Sequence, residues 1–216
     1  MTQSEANYDL NDNGLLDLDV YFDFTCPFSY QTALWVKDVS ELMGSDVMAV
    51  RWRFFSNAQA NKDDSEGNAW DSAAAPGMAA FAAGGAAYQL GGEDALLKFY
   101  LALGRLYHEE GQSTGEQGPI EQAWQEAGLD AALLAVALDG SNLAGMQKLQ
   151  QDHTEAVEKY GAFGTPTLVF EEHRAFFLKI KSRPGDIADA LELFQHIQRL
   201  AMGFPDVYEY KKVGQD

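Results

Sequence analysis

The chain has 216 residues, 46% of them hydrophobic, which is ample material for one large domain or for one domain with an insertion. Fifteen lysines and arginines stand against 33 aspartates and glutamates, and the formal net charge is −18. A surface of this sign repels nucleic acid and anionic membranes, so neither is expected as a partner.

No export signal is predicted in the first residues. The segment MTQSEANYDLNDNG has no basic residue and no apolar stretch, and no run of 18 apolar residues follows that could span a membrane. A single cysteine cannot form an internal disulfide. These features predict a cytoplasmic protein whose residues 1–14 form a disordered polar lead-in.

A strand, a helix and a second strand are the first predicted elements. Residues 18–24 alternate apolar and acidic side chains with a strong β signal. Apolar residues then recur at helical spacing from Phe28 until Gly44, and residues 47–55 again indicate a strand. A helix between two such strands predicts a βαβ unit with a parallel pair and a right-handed crossover.

The middle of the chain is predicted to be helical. Residues 56–72 are polar and turn-rich, which indicates a loop that leaves the sheet edge. Helices are predicted over 73–90 (with weak points at Gly84 and Gly85), 93–110, from Pro119 to about 127, from Asp130 to 138, and from Asn142 to about 160. A helical block of this size predicts an inserted subdomain over residues 61–160.

Strands return after Gly161. Residues 168–170 and 175–180 indicate two strands joined by a hairpin turn at 171–174. Asp186 precedes a last helix that keeps apolar residues at core spacing, namely Ile187, Leu191, Phe194 and Ile197. Residues 15–60 and 161–203 are therefore predicted to form one discontinuous domain, and 204–216 a polar surface tail.

The single cysteine, Cys26, stands where the first strand gives way to the first helix. Pro27 fits the first helical position, where a missing N–H costs nothing, so Cys26 falls at or next to the N-cap. Unpaired backbone N–H groups and the positive helix end stabilise a thiolate there. The alternative is a buried cysteine that acts as a small hydrophobic side chain.

Ser29 follows three residues later, on the same side of the first helical turn. Its hydroxyl is predicted to donate to the Cys26 thiolate, the alternative being an ordinary first-turn serine. Because no second cysteine follows, a mixed disulfide on Cys26 would persist until an external thiol attacked it. The pair predicts a monothiol site with Cys26 and Ser29 as the catalytic residues.

Other kinds of site find little support. The histidines are scattered at positions 108, 153, 173 and 196, and no second cysteine is present, so no metal site is predicted. The glycine pairs at 84–85 and 91–92 lack a preceding strand and a lysine, which excludes a phosphate loop. A Cys26–His hydrolase pair stays conceivable, because such partners can be remote in sequence.

The motif Cys26-Pro27-Phe28-Ser29 after a strand, together with Gly164-Thr165-Pro166 before a later strand, resembles the DsbA family. Within that family the chain is most similar to the signal-less group around FrnE-like and 2-hydroxychromene-2-carboxylate isomerase-like proteins. The resemblance extends over about residues 18–202. It implies an α/β, thioredoxin-like fold with a large all-helical insertion.

The resemblance also implies properties of the site. The Thr165–Pro166 bond is expected to be cis and to pack beside Cys26, so that the Thr165 backbone can pair with a bound thiol or peptide. Pro27, Phe28, Thr165 and Pro166 are the expected motif and substrate- or thiol-binding residues. No cofactor is expected to be tightly bound, and the expected co-substrate is a low-molecular-weight thiol of the glutathione or mycothiol type. Dithiol members of the family carry a second cysteine where this chain has Ser29.

Three classes of function follow. The first is a monothiol oxidoreductase that forms a Cys26 mixed disulfide with a small thiol or a protein substrate. The second is a thiol-dependent isomerase or transferase acting on an aromatic or enone substrate; in kappa-class glutathione transferase-like relatives a serine occupies the first motif position. The third is a non-catalytic thioredoxin-like binding module. Cys26 favours the first class, and Ser29 leaves the second open.

Overall fold

The structure, a computed structural model, describes residues 14–63, 67–72, 75–138, 143–171, 174–204 and 206–207. Nearly all of the predicted lead-in, the Asn142 cap, and most of the predicted tail lie outside these residues. Within them one four-stranded sheet runs in the order β2-β1-β3-β4. Its strands are β1 (Leu16–Phe22), β2 (Met48–Phe54), β3 (Thr167–Phe170) and β4 (Arg174–Phe177).

Helices occupy most of the remaining described chain. They are α1 (Pro27–Met43), α2 (Asn57–Ala60), α3 (Met78–His108), α4 (Gln117–Glu126), α5 (Ala131–Leu138), α6 (Leu143–Tyr160) and α7 (Ile187–Gly203), with a 3-10 turn at Ala69–Asp71. The segment from α2 to α6 lies between β2 and β3 in the chain. Among the described helices, none combines the length and apolar composition needed to cross a membrane.

The sheet contains both kinds of strand pairing. β1 pairs with β2 in parallel, from Leu16 opposite Met48 to Phe22 opposite Phe54, which confirms the predicted parallel pair. β1 also pairs antiparallel with β3, which pairs antiparallel with β4. The predicted hairpin is therefore formed, although two of its turn residues, 172 and 173, lie outside the described part of the chain.

β1 is buried on both faces because it is an inner strand. Leu18, Val20 and Phe22 have no exposed surface and belong to the main apolar core. On the opposite face, Tyr21 packs in a second cluster with Phe55. Each large apolar side chain buried in this way contributes about 2 kcal/mol, so β1 anchors the chain just before Cys26.

Aromatic rings join α3 to the end of β1. The rings of Phe22 and Tyr100 stack at 4.0 Å between centroids, and the ring of Phe24 meets Phe81 and Phe99 edge-on at 5.3 and 5.8 Å. Phe81 and Tyr100 are fully buried, so these aromatic residues of the helical segment belong to the core. Edge-to-face and stacked pairs each add about 0.5–1.5 kcal/mol beyond burial, so this cluster holds the residues before Cys26 rigidly.

Side chains from the helical segment cover the outer edge of β2. The backbone N–H groups of Trp52, Phe54 and Ser56 donate to Glu93 Oε2 at 2.8 Å, Asp152 Oδ2 at 2.9 Å and His153 Nδ1 at 3.2 Å, respectively. These alternate N–H groups point away from β1, and they would otherwise be unpaired. The acceptors on α3 and α6 therefore cover the outward N–H groups in the second half of this edge strand.

Several predicted elements differ in extent. β1, predicted over residues 18–24, runs from Leu16 to Phe22. The predicted loop over 56–72 contains the helix α2, whose N-cap Ser56 accepts from the backbone N–H of Gln59 at 3.1 Å. Serine followed three residues later by glutamine is a capping signature, and it was overlooked. The last strand ends at Phe177 rather than 180, because its partner β3 begins only at Thr167, opposite Phe177.

The prediction that Gly84 and Gly85 weaken a helix is wrong. Both lie inside α3, where a Cβ on Gly85 would come within 2.3 Å of Gly145 Cα in α6. Gly85 thus allows α3 to pack closely against α6, and Gly84 leaves room for the Phe24 ring. The non-helical residues of α3 are Gly91 and Gly92, so the break between the two predicted helices is correctly placed.

Only the later turns of α7 pack against the core. Asp186 caps α7 by accepting from the backbone N–H of Ala188 at 2.7 Å, and Phe194 is fully buried 5.9 Å from the Trp35 ring. Ile187 is 46% exposed, so its predicted place in the core is wrong. The whole first turn of α7 is exposed, and burial begins at Ala190.

Candidate active site

Cys26 lies at the N-cap of α1. Its backbone is extended, with φ −89° and ψ 113°, and Pro27 begins the helix. The Cys26 carbonyl accepts the Tyr30 N–H at 3.2 Å, which closes the first helical turn. Cys26 is 9% exposed and its neighbour Pro27 is exposed, so the sulfur lies just below the surface.

The Gly164-Thr165-Pro166 segment meets Cys26 from the other side. The Cys26 thiol donates to the Thr165 carbonyl oxygen, with 3.5 Å between Sγ and O. The Thr165–Pro166 peptide bond is cis, the isomer that the resemblance implies. Two further bonds fix the segment, since Thr167 Oγ1 donates to Gly164 O at 2.8 Å and Leu178 N to Pro166 O at 3.2 Å.

A buried carboxylate connects the two sides of the site. Asp23 accepts from the backbone N–H and the hydroxyl of Thr25 at 2.8 and 2.7 Å, and from the Asn57 backbone N–H at 2.7 Å. The Asn57 side-chain amide donates to Thr165 Oγ1 at 2.8 Å. Burial raises the pKa of the Asp23 carboxyl, and these hydrogen bonds from Thr25 and Asn57 oppose that rise.

Asp23 and Asn57 were missed by the sequence analysis. The signals for them are local: an aspartate two residues before a threonine commonly closes an Asx turn, and the Ser56–Gln59 cap places Asn57 at a helix start. Neither signal indicates contact with Thr165, which is 108 residues from Asn57 in the chain.

Ser29 does not make its predicted hydrogen bond in this structure. The side chain is fully buried, and its hydroxyl has no hydrogen-bond partner among the described residues. The Cys26 thiol instead donates to Thr165, and a neutral thiol sulfur is only a weak acceptor. A bond from Ser29 to sulfur would require the thiolate.

Tyr100 lies below the site in the aromatic core. Its hydroxyl is completely buried and, within the described chain, has no hydrogen-bond partner. Burial raises the pKa of Tyr100 well above its ordinary value, and the nearby charges of Cys26 and Asp23 act in the same direction. Tyr100 is therefore a neutral phenol near Cys26.

His108 lies near the start of α1, where its ring contacts a backbone carbonyl and not the Cys26 sulfur. Its Nε2 lies 3.2 Å from the Phe24 carbonyl oxygen, and its ring stacks on Tyr30 at 5.3 Å. Burial lowers the pKa of His108. The geometry gives no support to a Cys26–His pair, and among the described residues no cluster of His, Cys, Asp and Glu could hold a metal ion.

Solved structures share this architecture. The 2-hydroxychromene-2-carboxylate isomerase aligns with a TM-score of 0.60 at 15% identity, covering 88% of this chain and 98% of its own. Oxidoreductase DsbA from Xylella fastidiosa aligns at 0.54 and 18%, covering 86% and 85%. Cytosolic disulfide reductase DsbM from Pseudomonas aeruginosa, solved with GSH, aligns at 0.58 and 19%, covering 86% and 100%. The predicted fold class is confirmed: the protein has a thioredoxin-like, DsbA-like fold with a large helical insertion.

Sequence comparison gives the family. The model of the Rv2466c-like family, described as mycothiol-dependent nitroreductase Rv2466c, matches residues 25–212. The protein Rv2286c of Mycobacterium tuberculosis is 29% identical over 195 residues, which is 90% of this chain and 81% of Rv2286c. This chain belongs to the Rv2466c-like family. The family description and the shared DsbA-like fold together confirm the resemblance described above.

Proposed function

We propose that the protein is a monothiol thiol–disulfide oxidoreductase that works through a mixed disulfide on Cys26. The Cys26 thiolate attacks one sulfur of a disulfide RS–SR′, forms a bond to the RS sulfur, and releases R′S⁻. An external thiolate then attacks the RS sulfur and releases Cys26 as the thiolate. Each step exchanges one S–S bond for another, so electrons and atoms balance.

The contact between Cys26 Sγ and the Thr165 carbonyl oxygen carries this proposal. It joins the start of α1 to the cis-proline segment, so a thiol attached to Cys26 would lie against the Thr165 backbone. The helix start supports negative charge on the sulfur during both steps. A purely structural cysteine would gain nothing from the positive helix start, because its sulfur carries no charge.

The co-substrate that we propose is a low-molecular-weight thiol of the mycothiol type, because the family description names mycothiol. The structure of DsbM with GSH adds a glutathione-type thiol as the comparison compound. The family description also names nitroreduction, so a nitro compound is a second electron acceptor to test. Two molecules of a thiol RSH would reduce a nitro compound Ar–NO₂ to the nitroso compound Ar–NO, and the products would also include water and the disulfide RSSR. A cytoplasmic location, where such thiols are kept reduced, fits this chemistry.

Exchange with mycothiol disulfide and with glutathione disulfide tests the proposal directly. The parent protein should gain the mass of one thiol moiety on Cys26 and should turn over when the reduced thiol is added. Cys26→Ser should lose both the adduct and the turnover. Absence of an adduct from the reduced parent protein under both disulfides would refute the mechanism.

A thiol-dependent isomerase or transferase is the second candidate, favoured by the lack of a second cysteine and by the fold of the isomerase described above. Such a site needs only a donor that holds the thiolate of the co-substrate, and a serine hydroxyl can supply it. Isomerisation of aromatic or enone substrates that persists in Cys26→Ser would favour this candidate. A binding module would give neither turnover nor adduct.

A further inference from the structure

Three phenylalanine rings and one lysine border the two segments that meet at Cys26, the start of α1 and the cis-proline segment. Phe28 follows Cys26 by two residues and is partly exposed. Phe163, just before the cis-proline segment, is 70% exposed, and its ring contacts the Phe177 ring with 4.7 Å between centroids. We call Phe28, Phe163 and Phe177, with Lys179, the aromatic platform.

Backbone contacts fix the aromatic platform to the site. Phe177 pairs with Thr167 in the sheet, and the next residue, Leu178, donates its N–H to the Pro166 carbonyl at 3.2 Å. The Phe177 ring also lies against Gly164, since a Cβ on that glycine would be 3.4 Å from Phe177 Cε2. The platform therefore borders the same segment that contacts the Cys26 sulfur.

Lys179 supplies a positive charge to the aromatic platform. Its ammonium lies 5.2 Å from the centroid of Phe28 and 5.2 Å from that of Phe177, and the side chain is exposed. Among the described residues its contacts are with these rings, without a carboxylate partner. In a chain with a net charge of −18, such a cation offers a local site for an anion.

We propose that the aromatic platform binds a flat aromatic substrate that carries a negatively charged substituent. The exposed Phe163 ring offers a face or edge to a second ring. The Lys179 ammonium contacts the same Phe177 ring as Phe163 does, and its charge would pair with the substituent. An aliphatic anion would use only the lysine, and a neutral ring only the phenylalanines. This inference rests on the proposed function, because the platform would form the side of the Cys26 site that binds the oxidant.

Binding of 2-naphthoate and of neutral 2-naphthalenemethanol tests the inference. Each compound is titrated into the reduced full-length protein without thiol or disulfide, and backbone amide NMR shifts report the site and the Kd. Shifts should cluster at Phe28, Gly164, Leu178 and Lys179. Naphthoate should bind more tightly than the alcohol.

Two variants with matched controls separate the contributions. Lys179→Gln should weaken naphthoate about three- to fivefold and leave the alcohol unchanged, whereas Lys98→Gln, which removes an equal charge from an exposed lysine paired with Asp94, should change neither. Phe163→Ala should weaken both compounds about three- to tenfold, and Phe204→Ala, at a 51% exposed phenylalanine after α7, should not.

The outcomes distinguish this inference from the proposed function. Equal naphthoate affinity in the parent and Lys179→Gln, shifts centred elsewhere, or no binding would overturn the inference. Because no thiol chemistry enters the titration, binding at the platform without any disulfide exchange would instead refute only the proposed function.

Discussion

The Ser29 hydroxyl is buried beside Cys26 without a hydrogen-bond partner among the described residues, which makes the position suitable for a thiol. In Ser29→Cys a second sulfur would lie one helical turn from Cys26 and replace an unsatisfied polar group by a more apolar one. With external thiol at about 0.1 mM, we expect release of the mixed disulfide to become at least about tenfold faster, because the internal thiol acts at an effective concentration of about 1 mM or more.

Ser29→Ala is the control for that variant. It removes the unsatisfied hydroxyl without adding a thiol, so stability in urea should be unchanged or higher by about 1 kcal/mol. Release of the mixed disulfide should stay at the parent rate. If Ser29→Cys does not form an internal disulfide under mild oxidant, the predicted facing of the two side chains is incorrect.

Asn57 is predicted to be a positioning residue for Thr165. Asn57→Ala removes the bond from its amide to Thr165 Oγ1 and leaves the bond from its backbone N–H to Asp23 in place. We expect a loss of about 1 kcal/mol in the free energy of unfolding and a several-fold fall in kcat/KM for disulfide exchange.

A double-mutant cycle checks that prediction. Thr165→Val removes the same hydrogen bond from the other side, so the effects of the two substitutions on kcat/KM should overlap instead of adding. Additive effects would show that Asn57 does not act through Thr165.

His153, one of the side chains that cover the edge of β2, should make the free energy of unfolding depend on pH. Burial lowers the pKa of His153 from 6.5 to about 4. Between these values the unfolded chain binds a proton that the folded chain does not, so stability falls as the pH drops. The contribution of His153 between pH 7 and pH 5 should be a loss of about 2 kcal/mol.

Comparison with His153→Gln isolates this contribution. Burial raises the pKa of both Glu93 and Asp152, and these two groups act in the opposite direction as the pH falls. The informative quantity is therefore the difference between parent and variant in urea unfolding at pH 7 and pH 5. Equal pH dependence in the two proteins would contradict the assignment of a neutral, buried His153.

Because α3 and α6 cross closely at Gly85, one added methyl group there should lower the stability of the protein. In Gly85→Ala the new Cβ would lie 2.3 Å from Gly145 Cα, so the helices must separate, and we expect a loss of about 1–3 kcal/mol in the free energy of unfolding. Gly118→Ala in α4 meets no atom within 4 Å and should stabilise the protein by up to about 1 kcal/mol. Urea denaturation of both variants checks the contrast.

Local patterns predicted well the elements with strong periodicity and the residues of short motifs. The β1–β2 pair, the hairpin and the last helix follow from alternation and spacing, and Cys26 was found because a lone cysteine stands at a strand–helix boundary. The contact of Thr165 with Cys26 was expected only from the resemblance to the DsbA family. The roles of Asn57 and of the Gly85–Gly145 crossing depend on contacts between segments far apart in the chain. No local pattern encodes which partner such residues meet.

The aromatic platform was missed for the same reason. Phe28, Phe163 and Lys179 come from three different segments, and the sequence gives no sign that they meet. In the sequence, Phe163 and Phe177 are indistinguishable from ordinary apolar core residues. Only the exposure of Phe163 in the folded protein distinguishes it.

At the scale of the whole molecule, the net charge of −18 predicts how exchange depends on salt. Long-range repulsion slows the approach of an anionic disulfide, and salt screens it beyond about 8 Å at physiological ionic strength. Exchange with glutathione disulfide should therefore accelerate about two- to fivefold between low and physiological salt. Neutral 2-hydroxyethyl disulfide provides the control, and an equal salt effect on its rate would exclude electrostatic repulsion as the cause.

The side chains along β2 also determine how other polypeptides can meet this protein. Since the outward N–H groups of Trp52, Phe54 and Ser56 are already donating, an approaching chain finds no free ladder of donors at that side. A fibril-like or domain-swapped association cannot start there without first displacing Glu93, Asp152 and His153. In a concentrated solution of this protein, edge-to-edge aggregation through β2 would therefore cost those three hydrogen bonds.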